Sequence, residues 1–125
     1  MSIKYDIRAD VLKNRLYIVI QGFMSEEDAV IISDKASTEQ RKLRPGFDVI
    51  NDIRRLQPAS PKASQLYSRQ LEVGKEIGIG RVVRIVGDQV ITKMQLTKAL
   101  KDSVGVVAET AASVEEAERL LDRKK

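Results

Sequence analysis

The sequence contains no cysteine and no histidine. Without cysteine there is no disulfide framework, no thiolate nucleophile and no cysteine-bound zinc site. Without histidine the chain lacks the commonest general base and the commonest metal ligand. We therefore expect no catalytic residues and no metal site, and we interpret the chain as a binding or regulatory protein, not an enzyme.

Aromatic residues are scarce, at 4% with no tryptophan, whereas hydrophobic residues make up 42% and charged residues 32%. This balance is typical of a folded globular protein whose core is built mainly from aliphatic side chains. A chain of 125 residues has the usual size of one domain, and no linker or repeat divides it. We predict a single domain over residues 1–125.

Long apolar runs and long runs of like charge are also missing. No segment approaches the length of a membrane-spanning helix, and the first residues lack the apolar core of a signal peptide. We therefore expect a cytoplasmic protein with no membrane span. The net charge of +4 favours anionic partners, but the cations are spread along the chain, so we expect no specific nucleic-acid binding.

The hydrophobic pattern alternates between strand and helix. Alternating or continuous short apolar runs predict five strands, at residues 3–9, 16–20, 47–53, 81–86 and 106–108. Helical spacing of apolar residues predicts four helices, which begin near Ser25, at Ser60-Pro61, after Gly87-Asp88 and at a capping box from Ser113 to Glu116.

Glycine and proline mark the predicted helix ends, at Pro45-Gly46, at Gly78 with Gly80, and at Gly105. The resulting order is β-β-α-β-α-β-α-β-α. It predicts an α/β fold with right-handed crossovers and a mostly parallel sheet, in which the first strand is an antiparallel edge strand.

This order resembles the STAS fold of anti-sigma-factor antagonists of the SpoIIAA type, over nearly the whole chain. Members of that family commonly carry Gly-x-Leu-Asp-x-x-x-Ala between the second strand and the first helix. Residues 22–29 read Gly-Phe-Met-Ser-Glu-Glu-Asp-Ala and fit that pattern without a gap, with Met24 in place of leucine and Ser25 in place of aspartate. The resemblance implies a regulatory or binding role on a SpoIIAA-like fold.

The chain departs from the regulatory members at the second helix. Those members carry Asp-Ser-Ser-Gly there, and the first serine is phosphorylated. Counting without a gap from Asp52 places that stretch on Ser60-Pro61-Lys62-Ala63, with Pro61 at the phosphorylated position. A shift of one residue restores Ser60 but puts Ala59 before it. The sequence thus resembles a divergent SpoIIAA-like branch of the STAS superfamily and leaves the phospho-switch open.

Five residues form the candidate partner-binding or anion-binding site: Asp52, Arg54, Arg55, Ser60 and Lys62. Asp52 ends a strand on the side where open parallel sheets bind ligands. The cations lie in a predicted loop and at a helix N-terminus, which together favour an anion. Ser60 fits a helix cap and, alternatively, a phosphorylation site. A solvated surface that keeps the chain soluble is the simpler explanation of the charged residues.

The leading hypothesis is a non-catalytic protein-interaction module that docks through residues 54–63. The alternatives are a carrier of a small apolar molecule or lipid, as a resemblance to the STAS/Sec14-like branch implies, and a phospho-switched anti-sigma-factor antagonist. We expect no cofactor, because neither Gly-x-Gly-x-x-Gly nor Gly-Lys-Ser/Thr occurs. The predicted edge strand at residues 3–9 offers unpaired backbone groups and leaves a homodimer open.

Overall fold

The computed structural model describes residues 3–57, 60–86, 98, 101, 105 and 108–123. Five strands form one sheet in the order of the chain: β1 (Lys4–Asp10), β2 (Arg15–Gly22), β3 (Phe47–Leu56), β4 (Ile79–Ile85) and β5 (Glu109–Ala111). β1 pairs antiparallel with β2, and every other pairing is parallel. The described helices are α1 (Glu26–Gln40), α2 (Pro61–Ile77) and α3 (Val114–Asp122). The predicted fold class is confirmed.

Two strand boundaries differ from the prediction. Arg54 and Arg55 belong to β3, not to a loop, because β2 continues to pair with β3 beyond a bulge, up to Gly22 beside Leu56. The last strand lies at Glu109–Ala111, where it pairs with the end of β4, and not at residues 106–108. Within the predicted strand at residues 106–108, Ala108 does not belong to a strand, and residues 106–107 lie outside the described residues.

The helix ends follow the predicted signals with small changes. α1 stops at Gln40, earlier than Pro45-Gly46. Gly78 ends α2 with φ +113, whereas Gly80 is already part of β4. The helix predicted after Gly87-Asp88 lies largely outside the described residues. Its predicted end, Gly105, has φ +77 and donates its N–H to the Lys101 carbonyl at 2.9 Å, as at a helix C-terminus.

Serine hydroxyls cap all three described helices. The Ser25 Oγ accepts the Asp28 N–H at 3.0 Å, and the Asp28 carboxylate accepts the Ser25 N–H in return, which makes a capping box. The Ser113 Oγ likewise accepts the Glu116 N–H at 3.1 Å, but the Glu116 carboxylate accepts the N–H of Ala112. The capping box predicted at Ser113 is therefore only half correct.

The sheet separates two cores of different chemistry. α1 and α2 cover one face with an aliphatic core that includes Leu16, Ile18, Val49 and Val82. α3 covers part of the other face through a smaller cluster that includes Tyr17, Ile50, Val83, Ile85, Ala117 and Leu121. The ion pairs of Arg15, Arg54 and Arg81 lie on this second face, whereas the buried Arg84 lies beneath α2 and donates to the Tyr67 hydroxyl at 3.2 Å.

Arg15 fastens α3 to the start of β2. Its guanidinium is buried and forms ion pairs with Glu118 and Asp122 of α3. The Tyr17 hydroxyl donates to the other Glu118 oxygen at 2.7 Å. Burial, together with the adjacent Glu118 carboxylate, raises the pKa of Tyr17 to about 12. The short helix thus depends on ionic contacts as well as on its two fully buried apolar residues.

α1 partly closes the outer edge of β1. The Ala9 N–H donates to Glu39 Oε1 at 2.9 Å, and Lys42 holds the same carboxylate at 2.7 Å. The hydrogen bond from Lys42 leads the contacts that lower the pKa of Glu39. Since this donor already has an intramolecular partner, the end of β1 is blocked as a strand-pairing surface.

Gly80 is required because β4 passes very close to the segment that begins β3. A Cβ at Gly80 would lie 2.7 Å from the Gly46 carbonyl oxygen and 2.9 Å from that of Phe47. Both atoms are backbone and cannot move independently. We predict that Gly80→Ala lowers the free energy of unfolding, measured by urea denaturation, by about 1–3 kcal/mol.

Gly74→Ala is the matched control. A Cβ there would meet the Gln40 side-chain oxygen at 2.7 Å, and a side-chain end can shift. Alanine also favours a helix over glycine by about 1 kcal/mol, which offsets the crowding. Equal stabilities of the two variants would contradict the close approach at Gly80.

Candidate functional site

The five predicted site residues all lie near the carboxyl edge of the sheet, by which we mean the edge where the parallel strands β2, β3 and β4 end. Only four residues separate the end of β3 at Leu56 from the start of α2 at Pro61. The chain therefore keeps Asp52, Arg54 and Arg55 of β3 close in sequence to Ser60 and Lys62 of α2. Asp52 and Arg54 lie on one side of the sheet, and Ser60 and Lys62 lie on the other.

Asp52 and Arg54 form a bidentate ion pair. Arg54 Nη2 lies 2.7 Å from Asp52 Oδ2, and Arg54 Nε lies 3.0 Å from Asp52 Oδ1. Burial alone would raise the pKa of Asp52, but the hydrogen bonds from Arg54 and the charges of Arg54 and Arg55 outweigh burial and lower it. Asp52 is therefore a stable carboxylate held by its neighbour, which makes it a poor general base.

This group lies on the face that α3 covers. Asp52 is two residues from Ile50, which packs against α3, and side chains two apart in a strand share a face. The Glu115 charge at the start of α3 also raises the pKa of Arg54. Arg54 thus forms a basic flank beside α3, and its side chain remains 44% exposed.

Ser60 and Lys62 lie at the N-terminus of α2, which packs on the opposite face. The Ser60 Oγ accepts the Ala63 N–H at 3.1 Å, so the predicted cap is confirmed. Lys62 is exposed, and the first turn of α2 contains no acidic residue. Arg54 and Lys62 therefore lie on opposite sides of the sheet edge.

Phe23 is a surface residue that the sequence prediction overlooked. It is 50% exposed in the turn between β2 and α1. The preceding Gly22 pairs with Leu56, and its carbonyl accepts the Gln57 N–H at 3.0 Å. Phe23 therefore lies directly beside the end of β3. The sequence did contain a signal for this residue: an aromatic side chain stands between a strand and a capping serine in a chain that has very few aromatic residues.

A small cavity lies under α1 and α2. Its volume is about 10 Å³, and its polar lining includes Asn51, Tyr67 and Gln70. The buried Asn51 Oδ1 has no hydrogen-bond partner among the described residues. Such a space holds about one water molecule, whereas ligand pockets are usually of several hundred Å³. A carrier function would need a different pocket.

Within the described part of the chain, no three acidic residues gather as a metal-binding cluster. Over the same residues, no helix combines the length and the apolar character needed to cross a bilayer.

The fold is similar to that of an uncharacterized protein from Shewanella loihica PV-4, described as a member of the DUF3478 family with a SpoIIAA-like fold. The TM-score is 0.68, with 16% sequence identity over 96% of this chain and 94% of that chain. No family model and no curated protein matches the sequence. At this identity the likeness shows the fold alone, and that fold is SpoIIAA-like.

The ion pair of Asp52 and Arg54 gives a pH-dependent prediction. Arg54→Ala leaves a nearly buried carboxylate without its partner, and we expect a loss of about 1–3 kcal/mol in unfolding free energy at pH 7. Because the folded pKa of Asp52 is lowered, the contribution of the pair is present above the unfolded value of about 4 and is lost as the pH falls through the folded value.

The measurement is urea unfolding of the unmodified protein and of Arg54→Ala between pH 7 and pH 2. The difference between the two proteins should shrink at the acid end of this range. Arg55→Ala is the control, since Arg55 is exposed and acts on Asp52 only through its charge. A difference independent of pH would show that Arg54 stabilises the fold by packing.

Proposed function

We propose that this chain, which has a SpoIIAA-like fold, is a non-catalytic protein-interaction module that docks through residues 54–63 at the carboxyl edge. The observation that carries the proposal is the exposed Phe23 beside the end of β3, next to Arg54 and Arg55. Exposed aromatic residues and arginines are the side chains most enriched at the centres of protein interfaces.

The charge of this surface defines the partner. Arg54, Arg55 and Lys62 are all exposed at this edge, with Phe23 in the adjoining turn. An acidic protein surface with an apolar recess for the phenyl ring complements this arrangement. Surface complementarity of this kind requires no nucleophile, no general base and no cofactor.

Charge reversal at two exposed positions tests the docking surface. We expect Arg55→Glu with Lys62→Glu to weaken capture of a native protein partner at least tenfold, because like charges then oppose an acidic partner. Neither residue takes part in the ion pair of Asp52, so the fold should be retained. The measurement is affinity capture from lysate of the source cells, followed by titration of the captured protein.

Arg69→Glu with Lys75→Glu is the matched control, with the same change of charge on the distal half of α2. It should leave capture unchanged. Phe23→Ser should weaken capture without altering charge. Equal capture by all of these variants would refute docking at the carboxyl edge.

Phosphorylation of Ser60 is a second candidate, favoured by its place at the start of α2. The helix has no acid in its first turn, and Lys62 follows directly, so a phosphate there would meet both the helix dipole and a cation. We expect purified native protein to contain a fraction heavier by one phosphate, which Ser60→Ala abolishes. Native protein of uniformly unmodified mass would exclude this switch.

A further inference from the structure

The turn between β1 and β2 presents apolar side chains to solvent. Leu12 is 96% exposed and Val11 is 48% exposed. We call residues 11–13 the hairpin tip. It projects from the amino edge of the sheet, where β2, β3 and β4 begin, and therefore lies at the opposite end of the strands from Phe23. The proposed docking function does not explain it.

Hydrogen bonds hold the hairpin tip in this conformation. The Asn14 N–H donates to the Val11 carbonyl at 3.3 Å, and the Lys13 N–H donates to Asp10 Oδ1 at 3.0 Å. Asn14 adopts φ +56 and exchanges two hydrogen bonds with the backbone of Arg44, at 2.8 and 3.2 Å. The exposure of Leu12 is thus built into the fold.

Cations surround the tip. Arg44 contacts it directly through the Val11 carbonyl, and the exposed Lys13, Arg41, Lys42 and Arg123 lie at the same edge. Some of these cations are neutralised: Lys42 pairs with Glu39, and Lys13 lies 3.7 Å from Glu118. Glu118 and Asp122 also pair with Arg15, and Asp10 accepts the Lys13 N–H. Arg41, Arg44 and Arg123 form no ion pair among the described residues, so the surface around the tip keeps a positive excess.

We propose that the hairpin tip and its surrounding cations bind the surface of an anionic lipid bilayer. Val11 and Leu12 enter the boundary between headgroups and acyl chains, and the cations lie at the level of the lipid phosphates. An apolar projection ringed by positive charge matches a bilayer, which supplies an apolar phase beneath an anionic one. A nucleic acid would leave Leu12 in water, and a protein would need a recess shaped for this projection.

A tryptophan reporter tests insertion directly. The chain has no tryptophan, so Leu12→Trp introduces a unique fluorophore at a position where the side chain makes almost no contact with the fold. With vesicles of phosphatidylcholine and phosphatidylserine in a ratio of 7:3, its emission should shift to the blue, and brominated acyl chains should quench it. Phosphatidylcholine vesicles should give neither effect. Ile31→Trp is the control, at an exposed apolar site on α1.

Flotation of the full chain with the same vesicles separates the apolar contribution from the ionic one. We expect Leu12→Ser and Arg41→Glu with Arg44→Glu each to lower the partition coefficient about tenfold. The matched controls Ile31→Ser and Arg69→Glu should leave it unchanged, and circular dichroism verifies that each variant is folded.

Three results would overturn the proposal. The first is failure of the unmodified chain to float with anionic vesicles at low ionic strength. The second is flotation that depends on the arginines but not on Leu12, which would indicate a general polyanion surface. The third is absence of flotation together with Leu12-dependent self-association in sedimentation, which would assign the tip to a protein contact. The docking proposal is tested separately: Arg55→Glu with Lys62→Glu should change capture of a protein partner but not flotation with vesicles.

Discussion

The parallel pairing of β3 between β2 and β4 is the constraint on which the remaining structure depends. Every residue from Phe47 to Ile53 is buried, because neighbouring strands pair with both edges of β3 and helices cover its faces. Parallel neighbours require crossover connections, and these place α1 and α2 on one face of the sheet. They also bring the ends of the parallel strands β2, β3, β4 and β5 to one edge and their starts to the other.

The two faces of this sheet are stabilised by different physical means. The face beneath α1 and α2 is an aliphatic core, as a chain poor in aromatic residues must build. The face beneath α3 also uses charge: Arg15 with Glu118, Arg54 with Asp52, and Arg81 with Glu109 at 2.6 Å. A helix of nine residues buries too little apolar surface to dock by hydrophobic contact alone, so ionic contacts complete its attachment.

The separation of the edges gives the molecule two exposed surfaces of different composition. β3 has ten residues, which corresponds to a length of roughly 30 Å between its ends. Phe23 and its neighbouring cations lie at one end, and the hairpin tip lies at the other. The two proposed contact surfaces therefore do not overlap.

The sequence by itself determined the order of strands and helices and the serine caps. Periodicity and capping are local properties, since a serine hydroxyl reaches backbone N–H groups only three residues away. For the same reason the Asp52 to Lys62 segment could be predicted as one candidate site from the sequence. The resemblance of the whole chain to the STAS family, which is based on residues 22–29 and on the order of strands and helices, agrees with the SpoIIAA-like fold.

Only the tertiary structure decided where these residues face. Pairing with Gly22 extends β3 through Arg54 and Arg55, and the ion pair with Asp52 then holds Arg54 on the α3 side of the sheet, away from Lys62. Contacts between residues far apart in sequence decide which charged side chains form ion pairs, as Arg15 does with Glu118. They also decide which apolar side chains stay exposed, as Phe23 and Leu12 do. Local pattern cannot supply this information, because burial and charge pairing depend on segments that meet only after the chain has folded.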